Sequence, residues 1–516
     1  MMKAFLWACR ALVCIGLACC RAEVLGIPGV KATPLRLGAT EPAGLELMSA
    51  PALGIDFTNG LRFERLATFQ NLMNGTGVAA GDVDGDGLVD LFFAHREGAS
   101  ALYRNLGGWR FTNITQSAGV ALTNMTACGA LLADITSDGA LDLLATSFGG
   151  PHAFLVGDGK GHFTDASVAA GIASKTGATS LAVGDLDGDG DLDVYWCNFG
   201  TTSPLRDGAE LSERMVNGVP TVTGRWAKRV RIIDGRYFEL GEPDVLYWNE
   251  GNGRLRPAVW AESFVDEDGR PLLEAPPDFG LAVQVRDING DGHPDIYVCN
   301  DFQTPDRMWL GDGKGRFRAA PRHALRTMSY ASMGVDFADI DRDGHLDFYT
   351  VEMLRREHDR HLRSFPALVP RMRMPGLGVD REDMPRNGLF RNRGDGTWEE
   401  IACQAGVAAT EWSWAPVFLD VDLDGWEDLL VSNGFRHDVN DRDVGGTATG
   451  KRRTSMRGDR SILREYPPIN APKVAYRNRR DLTFEDVSAA WGFDSARPAH
   501  GTALADLDGD GDLDVV

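Results

Sequence analysis

Past its first two dozen residues the chain has no apolar run near the ~18 residues that a membrane-crossing helix needs. Nor has it an excess of positive charge. Lys and Arg number 53 against 74 Asp and Glu, a formal net charge of −21. Nucleic-acid binding through overall basic charge is therefore excluded. Cysteine is sparse: eight residues, four of them within the first 20 positions. The other four, Cys128, Cys197, Cys299 and Cys403, are far apart and form no CxxC pair, which argues against a disulfide framework. Signatures of the GxSxG, HExxH and P-loop kinds are missing as well. What the chain does have is 43% hydrophobic residues, enough for a large core, and 61 glycines in 516 residues.

The N-terminus reads as a secretory signal over residues 1–22. Lys3 provides a basic start, Ala4 to Cys20 is apolar except for Arg10, and Cys20-Arg21-Ala22 is a small-residue cleavage site. Leu17-Ala18-Cys19-Cys20 also approaches a lipobox, so a lipid anchor is the alternative to free secretion. Either way the mature chain is expected to be secreted, periplasmic or at the cell surface. Residues 23–51 read as a linker.

Internal repetition dominates the remainder. The pattern D-x-[D/N/T]-x-D-G-x-x-D starts at Asp82, Asp134, Asp185, Asp287, Asp339, Asp420 and Asp506. A second pattern, L-Y-R-N-x-G-x-G-x-F, starts at Leu102, Phe154, Leu246, Met308, Leu389 and Ala475. The shortest spacing between acidic loops is 51–52 residues. Longer spacings come from three insertions at one equivalent point, near 199–244, 353–387 and 434–473. Each unit reads as four short strands. In the first unit Val78-Ala79-Ala80 enters the acidic loop and Leu91-Phe92-Phe93 leaves it. Around a glycine turn, Ala101-Leu102-Tyr103 and Trp109-Arg110-Phe111 form a second hairpin. Four strands per unit, repeated about seven times, predict an all-β fold, a seven-bladed β-propeller over 52–516.

The acidic loop has the chemistry of a hard-cation site. Positions 1, 3, 5 and 9 offer carboxylates, position 6 is glycine for a sharp turn, and position 7 offers a carbonyl. Oxygen ligands in a flexible loop favour Ca²⁺, and four carboxylates in nine residues repel one another without a counter-ion. Five loops carry the full set: Asp82, Asp84, Asp86 and Asp90; Asp185, Asp187, Asp189 and Asp193; Asp339, Asp341, Asp343 and Asp347; Asp420, Asp422, Asp424 and Asp428; Asp506, Asp508, Asp510 and Asp514. One loop has Asn289 among Asp287, Asp291 and Asp295, and another has Thr136 among Asp134, Asp138 and Asp142. Up to seven Ca²⁺ sites are expected, the Thr136 loop weakest.

Both patterns resemble the FG-GAP or VCBS repeats of integrin-α-like propellers, in the branch similar to cartilage acidic protein and the ASPIC/UnbV proteins. Gly77-Val-Ala-Ala-Gly-Asp82, Ala331-Ser-Met-Gly-Val-Asp336, Trp412-Ser-Trp414 and Asn433-Gly-Phe-Arg-His-Asp-Val439 carry the likeness. The resemblance implies that the calcium loop joins strands 1 and 2 of each blade. It implies too that the insertions, as 2–3 connections, gather on the opposite face. Leu513-Asp514-Val515-Val516 falls inside strand 2 of the seventh blade, so that blade is expected to be truncated. Ile55-Asp56-Phe57-Thr58 resembles a fourth strand able to close the ring.

The insertions carry a net charge of +7, densest at Lys451-Arg452-Arg453. They suggest a face for an anionic ligand, or else solvated loops. Glu357-His358-Asp-Arg-His361 lacks a third metal ligand, and Arg393-Gly394-Asp395 reads as a hairpin turn. The expectation is an extracellular binding or adhesion module for protein or carbohydrate. An enzyme acting on an extracellular polymer, lyase or hydrolase, and a purely structural surface protein are the alternatives. The sequence supplies no catalytic residue, and leaves catalysis undecided.

Overall fold

The computed structural model describes residues 43–66, 69–172, 174–205, 209–301, 304–364, 381–444 and 460–516. The signal-like segment, Gly445–Gly450 and Lys451–Arg453 lie outside the described residues.

Each repeat folds as an antiparallel meander. The first sheet pairs Val78–Gly81, Asp90–Phe93, Ala101–Asn105 and Phe111–Asn113 in that order. Five further sheets repeat the plan, with first strands at Ala127–Ala133, Ala178–Gly184, Gly280–Arg286, Gly334–Ala338 and Ser413–Leu419. They are the six blades of a β-propeller. First strands of consecutive blades pack on one another, so the first strand is innermost. A two-stranded ladder, Leu504–Ala505 with Asp514–Val515, follows the sixth blade and lies against Val78–Gly81 of the first.

The second strands explain why these residues form a propeller. Asp193–Asn198, Asp295–Asn300, Asp347–Val351 and Asp428–Asn433 are buried at every position, because each lies between neighbouring strands and between neighbouring blades. Their β-branched and aromatic residues suit that position. The apolar clusters accordingly span blade interfaces. One joins Phe92 and Leu102 of blade one to Leu143 and Leu155 of blade two. Another joins Leu144 and Phe154 to Trp196 and Tyr247.

In an antiparallel meander the 1–2 and 3–4 turns share one face, and the 2–3 connections fall on the other. The acidic loops therefore lie opposite the insertions. The first insertion forms two hairpins, Ser212–Val216 with Val219–Thr223 and Val230–Ile233 with Arg236–Glu239. The second contains helix His358–Arg363, and strand Glu382–Met384 pairs in parallel with Thr327–Ser329. Ahead of its first strand, blade four gains a fifth strand, Phe264–Val265, parallel to Phe317–Ala319.

One sequence expectation is corrected. Ile55-Asp56-Phe57-Thr58 is not a strand. It is held by side chains instead. Ile55 and Phe57 pack with Leu91, Tyr103, Ala505 and Leu507, and Tyr103 Oη donates to Asp56 Oδ1 at 2.5 Å. Further along the chain, Phe69 lies on the insertion face. Phe69 packs against Phe148 and Phe199, the residues that follow the second strands of blades two and three.

Candidate metal centres

The backbone dictates each acidic loop. Positions 4 and 6 take positive φ in all seven loops. Position 6 is always glycine, from Gly87 (φ 87°) to Gly511 (φ 103°). Position 4 is glycine in four loops, but Ser137, Arg342 and Leu423 hold φ of 58°, 59° and 53° there. Two left-handed residues so close curl the chain around the position-1 carboxylate. Asp82 Oδ1 accepts from Gly85 N at 2.8 Å, and Oδ2 accepts from Gly87 N at 2.8 Å. Asp287 repeats both bonds at 2.8 Å.

Position 9 is the bracket of the loop. Asp347 Oδ2 accepts from Ile340 N at 3.1 Å and Oδ1 from Asn392 N at 2.7 Å, and the side chain is fully buried. Asp90, Asp142, Asp193, Asp295 and Asp428 make the same pair of bonds. Asp514 makes the first of them, from Leu507 N at 2.9 Å. Burial pushes these carboxyls up, to about 7 for Asp193, Asp295, Asp347 and Asp428 and to about 6 for Asp90 and Asp514. The N–H donors oppose the shift, and neighbouring loop carboxylates add to it. A cation in the loop would remove that repulsion.

The predicted ligands converge unequally. Asp82, Asp84 and Asp86 bring one oxygen each within 4.8 Å of one another. So do Asp185, Asp187 and Asp193; Asp339, Asp341 and Asp347; Asp420, Asp422 and Asp428; and Asp506, Asp508 and Asp514. Among the described residues the loops of Asp134 and Asp287, each with a substituted ligand, give no such group of three. Thr136 Oγ1 instead donates to Asp142 Oδ2 at 3.1 Å, and Asn289 Nδ2 donates to Asp291 Oδ2 at 3.1 Å. Two of the five full loops, those of Asp82 and Asp339, add a second observation on the Oδ1 atom of position 3. Asp84 Oδ1 and Asp341 Oδ1 are buried and have no hydrogen-bond partner, which is costly for a carboxylate unless a cation meets it.

On the opposite face, much of the basic charge is already committed. Arg355 is buried, pairs with Asp438 at 2.9 Å and Glu411 at 3.6 Å, and lies over Trp412. Arg229 pairs with Glu242, Arg356 with Asp486 and Arg386 with Glu400. Arg436 donates to the Leu61 carbonyl, and Arg464 covers the Phe63 ring at 4.1 Å. Trp412 and Trp414 are core residues that stack with Phe435. His358 and His361 lie on the short helix His358–Arg363, which has no buried residue. Cys197 and Cys299, at the same position of the second strands Asp193–Asn198 and Asp295–Asn300, are buried free thiols. The tip of the first insertion exposes apolar side chains: Met215 at 66%, Val219 at 56% and Val216 at 46%.

Among the described residues no helix is long and apolar enough to cross a membrane. The family model described as an FG-GAP-like repeat matches residues 82–145, 134–196, 287–350 and 379–431. Cartilage acidic protein 1 of Mus musculus is 27% identical over 297 residues, covering 52% of this chain and 41% of that protein. Its namesake in Xenopus tropicalis is 27% identical over 133 residues, covering 25% and 20%. The chain spans less than half the length of these curated relatives. Among solved structures, an Agrocybe aegerita lectin described as recognising non-reducing terminal N-acetylglucosamine aligns at TM-score 0.40 and 14% identity, over 81% of this chain and 83% of that one. The chain is therefore a β-propeller built of FG-GAP-like repeats and similar to cartilage acidic protein 1.

Proposed function

We propose that this chain is an exported, calcium-loaded propeller of seven blades that acts as a binding module for an extracellular protein or carbohydrate. Bound calcium supplies the positive charge that the carboxylates of positions 1, 3, 5 and 9 lack. The buried, unpartnered Oδ1 atoms of Asp84 and Asp341 support the metal part of this reading. The ladder around Asp506–Asp514 supports a seventh blade, because its Leu507 carbonyl meets Asn105 as other loop carbonyls meet their neighbouring blade.

One observation carries the binding role. The hairpin Ser212–Thr223 has an all-exposed first strand, with Met215, Val216 and Val219 grouped at its tip. Exposed apolar side chains grouped at one spot on a rigid scaffold mark an interaction site. The test is an array of glycans and matrix proteins probed with the whole chain, with and without EDTA. Binding in calcium that is lost in the double variant Met215→Ser/Val219→Ser, with circular dichroism unchanged, is the expected result. Binding to no member of the array would overturn it.

A further inference from the structure

The third strand of a blade carries one residue just before the asparagine or glycine that touches the acidic loop. In blades one, five and six it is Arg104, Arg391 and Arg477. Each reaches into the loop of its own blade. Arg104 Nε lies 2.5 Å from Asp84 Oδ2, and its Nη2 lies 2.9 Å from Asp86 Oδ2. Arg391 Nη2 lies 2.6 Å from Asp341 Oδ2 and 3.5 Å from Asp343 Oδ2. Arg477 Nη2 lies 2.6 Å from Asp422 Oδ2, and Arg480 adds a second cation 2.5 Å from Asp424. The equivalent residues of blades two, three and four are Val156, Trp248 and Leu310, which carry no charge. Among the described residues no arginine or lysine pairs with the loop carboxylates that follow Asp185, Asp287 or Asp506.

The pairing leaves the loop usable by a metal. Each arginine engages the Oδ2 atom of position 3. The Oδ1 atoms of Asp84 and Asp341 stay buried and unpartnered, and the Asp84 side chain is only 9% exposed. In the Asp84 and Asp341 loops a cation would meet the free Oδ1 of position 3, with a guanidinium on the other oxygen of the same carboxylate. We propose that Arg104, Arg391 and Arg477 are resident counter-cations that divide the acidic loops into two classes. This rests on the reading that the loops bind calcium. Loops with an arginine are partly neutralised, keep their shape without metal and bind calcium weakly. The four-carboxylate loops without one, at Asp185 and Asp506, bind it tightly. Ligand charge count is what sets affinity in oxygen-ligand loops of this type.

Calcium is titrated calorimetrically into the EDTA-stripped whole chain, and thermal unfolding is recorded in EDTA. The wild type should show a tight and a weak class. Arg391→Gln should move one site to the tight class, tightening it about tenfold by removal of a neighbouring charge, and should lower the unfolding midpoint in EDTA. Arg104→Gln should do the same. The control Arg256→Gln, which removes only an ion pair to Glu250 on blade three, should do neither. Unchanged or weaker calcium binding in Arg391→Gln and Arg104→Gln, with calcium still bound by the wild type, overturns the proposal alone. Absence of calcium uptake by the wild type overturns the metal reading and this proposal with it.

Discussion

The side-chain amide of Asn105 donates to the main-chain carbonyl of Leu507 at 2.8 Å, although 402 residues separate them. The same bond recurs around the ring between adjacent blades. Asn249 donates to Ile135, Asn392 to Ile288 and Asn478 to Ile340. Each acceptor is position 2 of the preceding acidic loop, and each asparagine also donates to position 8 of its own loop. Blades two and four have Gly157 and Gly311 in place of the asparagine. There a turn amide substitutes: Gly161 N donates to Val83 at 3.0 Å and Gly315 N to Leu186 at 3.2 Å. Among the described residues, six of the seven acidic loops, all but that of Asp420, are thus tied to the next blade at one carbonyl.

Asn392→Ala removes this tie between blades four and five and leaves the Ile288 and Leu346 carbonyls short of a donor. The side chain is buried, so water does not readily replace it. Chemical denaturation in EDTA should show a loss of about 2–3 kcal/mol. A loss within ~0.5 kcal/mol would mean that the tie is not structural.

Two glycines separate backbone strain from collision. Gly344 has φ 89° and open space where a Cβ would stand, so Gly344→Ala should cost only the left-handed penalty, about 1–2 kcal/mol. A Cβ on Gly311 would meet the Pro294 carbonyl at 2.2 Å. Gly311→Ala must therefore displace the Asp287 loop, and should destabilise more than Gly344→Ala in the same denaturation assay.

His152 should make the fold sensitive to acid. It is buried against Trp196 at 4.4 Å, accepts from Ser147 N at Nδ1 and faces Thr176 Oγ1 from Nε2. Burial pushes it down to about 4. The folded value lies below the ordinary one near 6.5, so its contribution is full above pH 6.5 and is lost as the pH falls towards 4. With calcium present, the urea midpoint should drop between pH 7 and pH 5. His152→Asn should drop less over the same interval, and an equal drop would exclude His152 as a source. His500, pushed down to about 3 by burial and by Arg96 and Lys473, contributes in the same direction.

The repeat was legible because its chemistry is local. Four carboxylates at fixed offsets, with Gly87 and its equivalents between them, declare the loop, its turn and the strands on either side. Spacing alone also located the insertions. What escaped was non-local. Nothing near Arg391 in sequence announces that it faces Asp341, 50 residues earlier. The positive φ of position 4 was hidden wherever Ser137, Arg342 or Leu423 stands in place of glycine. The pattern of Ile55 and Phe57 suggested a strand because their side chains do pack on a sheet; only the backbone pairing is missing. The basic excess of the insertions suggested an anion face, yet Arg229, Arg355 and Arg386 are spent on carboxylates of the same face.

The role proposed for the acidic loops is to bind calcium and so complete the fold. Differential scanning calorimetry of the EDTA-stripped chain, before and after adding calcium or magnesium, tests it most directly. The account predicts a midpoint raised by calcium by at least ~10 °C, with little effect of magnesium, since binding to the folded state alone stabilises it. An unfolding midpoint that calcium leaves unchanged would contradict the account.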